Sequence, residues 1–138
     1  MAEASETVAA YGDGVIGRMV CVDYGGCDAI DVLCDEATLK GVMDQLCEEI
    51  GIRVISNASN SFGPGAGVTS VNVLATSSLS VHTWPELGTA CVDLFSCRTD
   101  FEDEFVDRFF ADAFGATSSA RTGFDRVQPA RTPGSVRA

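Results

Sequence analysis

Residues 35–51 read DEATLKGVMDQLCEEIG, and the reading of the fold starts from them. Leu39, Val42, Met43, Leu46, Cys47 and Ile50 recur at intervals of three and four, which gathers apolar side chains onto one stripe of an α-helix. Asp35 suits the N-cap, because its carboxylate accepts from first-turn amides without a helical partner. Gly51 suits the far end, where the left-handed conformation is needed. Working outward, residues 15–24 (VIGRMVCVDY) are rich in Val, Ile and Met and predict a strand closed by Gly25 and Gly26. Residues 53–56 predict a short second strand, and residues 60–67 (NSFGPGAG) a Gly/Pro turn. Residues 68–74 (VTSVNVL) alternate, with Val71 and Val73 on one face, and residues 90–95 (ACVDLF) predict a further strand. Thr99 and Glu102 have capping-box spacing ahead of Phe105, Val106, Phe109, Phe110 and Phe114, which predicts a second helix burying a phenylalanine face. Short links between the strands point to an α+β fold: a two-layer α/β sandwich, its sheet mainly antiparallel, its helices on one face.

Composition sets the limits. The chain has 138 residues, 46% of them apolar, which suffices for one core and excludes a disordered or multidomain chain. Its net charge of −11 and short apolar runs argue against nucleic-acid binding and membrane spanning. Residues 1–14 read as a flexible leader, residues 15–115 as the single domain, and residues 116–138, with Arg121, Arg126, Arg131 and Arg137, as a flexible tail. The six cysteines form no C-x-x-C pair, and no signal peptide precedes them, so a reduced cytoplasmic protein is expected. Most of these thiols read as small core residues.

Chemistry concentrates in residues 76–86 (TSSLSVHTWPE), which hold the only histidine, His82, and the only tryptophan, Trp84. A lone histidine is more often structural than catalytic, but hydroxyls, an indole and a carboxylate crowd this one. A serine-hydrolase triad lacks the G-x-S-x-G elbow. One histidine with scattered cysteines makes no zinc spacing, so no metal is expected. A Cys97–His82 thiol pair lacks a cleft signature beside it.

Residues 77–97, SSLSVHTWPELGTACVDLFSC, resemble the short prokaryotic S-adenosylmethionine decarboxylase proenzyme family, whose block reads Ser-His-Leu-Ser-Ile-His-Thr-Trp-Pro-Glu-Tyr-Gly followed by Asp-Val-Phe-Thr-Cys. Support continues in Asp23-Tyr24-Gly25-Gly26-Cys27-Asp28, similar to the family's Asp-Leu-Tyr-Gly-Cys-Asp. Phe62, Gly63 and Pro64 through Gly67, Val68 and Thr69 resemble its Phe-x-Pro-x-Gly-Val-Ser with one extra residue. The likeness runs over residues 15–115.

The resemblance implies a self-processing, pyruvoyl-dependent carboxy-lyase. Decarboxylating an amino acid leaves a carbanion, and a ketone conjugated to the substrate amine as a Schiff base is the electron sink it needs. By the resemblance, Ser77 attacks the carbonyl of Thr76, the chain is cut between Thr76 and Ser77, and Ser77 becomes the pyruvoyl cofactor. His82 and Thr69 match processing residues. Cys97 matches the acid that protonates the α-carbon, a task that suits thiols because they titrate near neutrality. Glu86 matches a ribose ligand, and Phe62 and Trp84 match aromatic positions that hold adenine or a sulfonium. The small-molecule product, decarboxylated S-adenosylmethionine, is the aminopropyl donor of spermidine biosynthesis, and a homodimer of cleaved protomers paired through their sheets is implied. This chain departs from the pattern where Thr76 replaces a usual Glu and Ser78 a usual His. Arginine or ornithine as substrate, and a non-processing paralogue, are the alternatives.

Overall fold

A computed structural model describes residues 14–98 and 100–129. Strand β1 (Val15–Gly25) leads through a single turn of helix, α1 (Ile30–Leu33), to the long helix α2 (Glu36–Ile50). Strands β2 (Val54–Ser61), β3 (Val68–Leu74) and β4 (Ser78–Trp84) follow, then a 3-10 turn over Pro85–Leu87 and β5 (Thr89–Ser96). Helix α3 (Asp103–Phe114) and β6 (Ser118–Val127) complete the fold. The six strands form one sheet in the order β2-β3-β4-β5-β1-β6, and each neighbouring pair is antiparallel.

Helix α2 forms where its apolar spacing predicts. Asp35 caps it, its Oδ2 accepting from the Thr38 amide at 2.9 Å, and Gly51 ends it in the left-handed region. Leu39, Met43 and Leu46 of α2 and Val106, Phe110 and Phe114 of α3 are buried with Val20, Val22, Leu79, Val81, Val92 and Leu94 of the sheet. Both helices therefore lie on one face of the sheet, as the expected two-layer α+β sandwich requires. On the other face, cross-strand partners Val73, Ser78, Phe95, Met19 and Phe124 make a row from β3 to β6. None of these five is buried, and Val73 and Phe124 are 48% and 47% exposed.

Several expectations need correction. Residues 118–127 are a strand inside the expected tail. Every position of β6 is exposed, so no apolar alternation announces it. It is held by the β1 ladder and by ion pairs of Arg18 with Asp125 (2.9 Å) and Arg121 with Asp107 (2.7 Å). The remaining tail, residues 130–138, and residues 1–13 of the leader lie outside the described residues. The second strand is longer than expected, and β4 was not anticipated as a strand because Ser78 and Ser80 dilute its pattern. On β3 the buried side is Val68, Ser70, Asn72 and Leu74, so Val71 and Val73 mark the open face instead of the core. Thr99 lies outside the described residues, and Glu102 occupies the N-cap of α3 without a side-chain cap bond, so the capping box does not form as spaced.

Candidate active site

The bond between Thr76 and Ser77 sits at the hairpin joining β3 to β4, where the Leu74 amide donates to Ser77 O at 2.9 Å. Cys97, at the end of β5, holds both halves of this peptide. Its backbone N–H donates to Ser77 Oγ at 3.2 Å, and its Sγ–H donates to the carbonyl oxygen of Thr76 at 2.9 Å. Thr76 Oγ1 lies 3.4 Å from Ser77 Oγ. The thiol is itself nearly buried, and the chain beyond it is tied down because Arg98 Nη1 donates to Gly51 O at 2.9 Å. A hydroxyl is thus fixed beside a carbonyl whose oxygen already accepts a hydrogen bond, which is what intramolecular acyl transfer needs.

A cleft of about 710 Å³ lies at the other end of β4, lined by Phe62, Thr69, His82, Trp84 and Glu86 among others. Thr69 and His82 are cross-strand partners, with Oγ1 3.3 Å from Nδ1. The His82 and Trp84 rings stack at a centroid distance of 6.4 Å. Between them Thr83 turns inward, its Oγ1 donating to Leu33 O at 2.6 Å and accepting from the Val68 amide at 2.9 Å. That anchor leaves His82 and Trp84 on the open face, because side chains alternate along a strand. Two glycines shape the rim. A Cβ on Gly67 would stand 2.2 Å from Thr83 O, and Gly88 closes the turn bearing Glu86 at φ 61°.

The structure therefore divides the expected site. Ser77, Thr76 and Cys97 are together, and Thr69, His82, Phe62, Trp84 and Glu86 are together. Yet Ser78 and His82 are four residues apart on an extended strand, about 13 Å. Within one chain His82 does not reach Ser77. Sequence reading missed the Thr76 carbonyl as the thiol's partner, since no residue type encodes a backbone acceptor. It also missed Thr83, whose signal is only its place between two outward-facing aromatics.

Four other thiols are pushed up in pKa. Burial, then the Asp23 carboxylate, pushes Cys91 up to about 11, and burial with Asp93 raises Cys21. Burial pushes Cys47 up to about 11 and also raises Cys27. These four stay protonated near neutrality; Cys27 and Cys47 are buried in the core as expected, whereas Cys21 and Cys91 are only half-buried and outside it. Among the described residues no cluster of three metal-ligating side chains occurs, and no helix is long and apolar enough to cross a membrane.

Comparison with known proteins follows the same lines. The family model for S-adenosylmethionine decarboxylase matches residues 18–127. The S-adenosylmethionine decarboxylase proenzyme of Prochlorococcus marinus (strain MIT 9313) is 32% identical over 123 residues, covering 89% of this chain and 97% of that protein. The proenzyme of Carboxydothermus hydrogenoformans is 37% identical over 101 residues, covering 73% and 78%. That of Pyrobaculum aerophilum is 42% identical over 83 residues, 60% of this chain and 66% of that protein's length, just under two thirds. The adenosylmethionine decarboxylase from Aquifex aeolicus VF5 superposes with a TM-score of 0.74 at 22% identity, covering 86% of this chain and 96% of that one, a likeness of fold. With the family model matched over residues 18–127 and relatives 37% and 32% identical over 73% and 89% of its length, the chain belongs to the S-adenosylmethionine decarboxylase family.

Proposed function

We propose that this chain cuts itself between Thr76 and Ser77 and then decarboxylates S-adenosylmethionine, supplying the aminopropyl donor for spermidine in the cytoplasm. The observation that carries the reading is Cys97, whose thiol donates to the Thr76 carbonyl while its amide holds Ser77 Oγ. In the processing step Ser77 Oγ bonds to the Thr76 carbonyl carbon and the peptide C–N bond breaks. The hydroxyl proton passes to the freed amine, and an ester remains. Loss of the Ser77 α-proton then expels the Thr76 carboxylate, and water replaces the nitrogen, releasing ammonia. A hydrogen bond to the carbonyl oxygen lowers the first barrier, because negative charge grows there. The residues present fit a pyruvoyl group: Ser77 is the source of its atoms, and the Cys97 thiol and amide flank the position. When formed, the group supplies the electron sink for decarboxylation. Cys97 is then placed to return a proton to the substrate carbon.

The proton carrier for processing is His82, oriented by Thr69. Since His82 lies about 13 Å along β4 from the cut, a second copy delivers it. Two chains pairing through their open faces cover the row from Val73 to Phe124 and bring one hairpin to the other chain's cleft. In that cleft Glu86 accepts from the ribose diol, and Phe62 and Trp84 offer faces to adenine or the sulfonium. Carbon dioxide release from labelled S-adenosylmethionine, arginine and ornithine, measured side by side, tests the substrate. Release from the first alone is expected, and release from either amino acid alone overturns the assignment. The names of the relatives favour S-adenosylmethionine over the other two.

A further inference from the structure

Strand β2 carries little that fixes where it sits. Val54 packs on the core at its start, but past the register shift that follows, Ser56, Ala58 and Asn60 point to the open face and Asn57, Ser59 and Ser61 to the helical face, so this stretch has no apolar pattern to set its register. Side-chain hydrogen bonds take over that task. Asn57 Nδ2 donates to Asn72 Oδ1 at 2.7 Å and to Ser70 Oγ at 3.0 Å. Ser59 Oγ donates to Asn57 Oδ1 at 2.8 Å and lies 2.7 Å from Ser70 Oγ. Asn72 Nδ2 donates onward to Asp44 Oδ1 on α2 at 3.1 Å, and Asp44 Oδ2 accepts from Lys40, the chain's one lysine, at 2.6 Å. Ser70 and Asn72 are fully buried, yet each finds partners, so the chain spends polar groups where an apolar layer would serve. A satisfied buried network of this kind specifies an arrangement more than it stabilises one.

The residue that follows β2 is Phe62, which leans over the cleft at 66% exposure, its amide donating to Gly67 O at 2.9 Å. A slip of one residue between β2 and β3 would carry Phe62 about 3.3 Å along the strand and turn its ring to the other face. We propose that the Ser59–Asn57–Asn72–Asp44 network fixes β2 on β3 and thereby positions Phe62 with Trp84 around the cleft. Asn57 is its central positioning residue, bonded to Ser59, Asn72 and also Ser70. The proposal rests on the reading of this cleft as the S-adenosylmethionine subsite. Cutting at Thr76–Ser77 is expected to survive loss of the network, because Ser77 Oγ and the Thr76 carbonyl are held by Cys97 beyond β5.

The test uses Asn57→Ala in the full-length, processed enzyme. KM for S-adenosylmethionine rises about tenfold, the scale of losing one aromatic face from a bound cation, while kcat and fragment formation hold. Phe62→Ala has a similar effect, and the double variant is no worse than either single one, because both act through the same ring. An unchanged KM, effects that multiply, or a loss confined to kcat overturns the proposal. Amide hydrogen exchange supplies an arm independent of activity. In Asn57→Ala the β2 amides exchange faster while those of β4 and β5 keep their protection, and undisturbed β2 amides contradict the proposal. Should Asn57→Ala fold poorly, Ser59→Ala gives the same pattern with smaller amplitude. If the wild-type chain neither cleaves nor releases carbon dioxide, the functional reading falls, and the exchange result still decides the network.

Discussion

Cys97 reaches the Thr76–Ser77 pair twice, through its amide and its thiol, so the two contacts can be separated by substitution. Cys97→Ala keeps the amide bond and loses the thiol donor. Fragment formation is expected to slow by about a hundredfold, the lower end of what one oxyanion donor contributes. Cutting at the wild-type rate, followed in denaturing gels, would remove the thiol from processing. Ser77→Ala leaves no nucleophile and yields one uncut chain. The same fragments in that variant would move the cut to Ser78. At this scale the candidates that are side chains could be named from the sequence, because Ser77, His82, Glu86 and Cys97 stand in one run of 21 residues. The Thr76 carbonyl and the anchoring role of Thr83 were not legible, because each depends on partners distant in sequence.

Among the elements, β6 shows what periodicity cannot see. Arg18 of β1 grips Asp103 on α3 at 2.6 and 2.9 Å and Asp125 on β6 at 2.9 Å, joining strand and helix by charge instead of by apolar contact. The guanidinium holds the Asp103 carboxyl below its ordinary range. A depressed folded-state value means that this contribution is fully present above the unfolded value, about 4, and is lost as pH falls through the folded one. Arg18→Met therefore lowers Tm by about 3 °C at neutral pH, for a half-exposed pair contributing about 1 kcal/mol. That gap shrinks below about pH 4. Thermal melts across pH 2.5 to 7 check it, and a gap that stays constant into acid would show that the ion pair is not its source. Helix α2, by contrast, was legible in full, since its stripe, cap and stop all agree. Strand β4 was obscured by Ser78 and Ser80, which dilute its apolar alternation.

For the whole molecule, the proposed pairing through the open face answers both the uncovered sheet and the divided site. If His82 of one protomer serves Ser77 of the other, two inactive chains can complement each other. Co-expressed Ser77→Ala and His82→Ala chains form mixed dimers in which one intact Ser77 meets one intact His82, and the His82→Ala chain is then cut. Cutting absent from the mixture but present in wild type would place both groups in one chain. The sequence showed that a sheet with helices on one face needs a cover. It could not show that the proposed cover would also bring His82 to Ser77, because that depends on the distance between the two ends of β4.

The most direct measurement is the intact mass of the purified chain before and after treatment with a carbonyl-trapping reagent. The account predicts two pieces, residues 1–76 and 77–138, the second without a free amino terminus and gaining the mass of the trap. A single chain of 138 residues, or a second piece that begins with an ordinary serine and ignores the reagent, would contradict it.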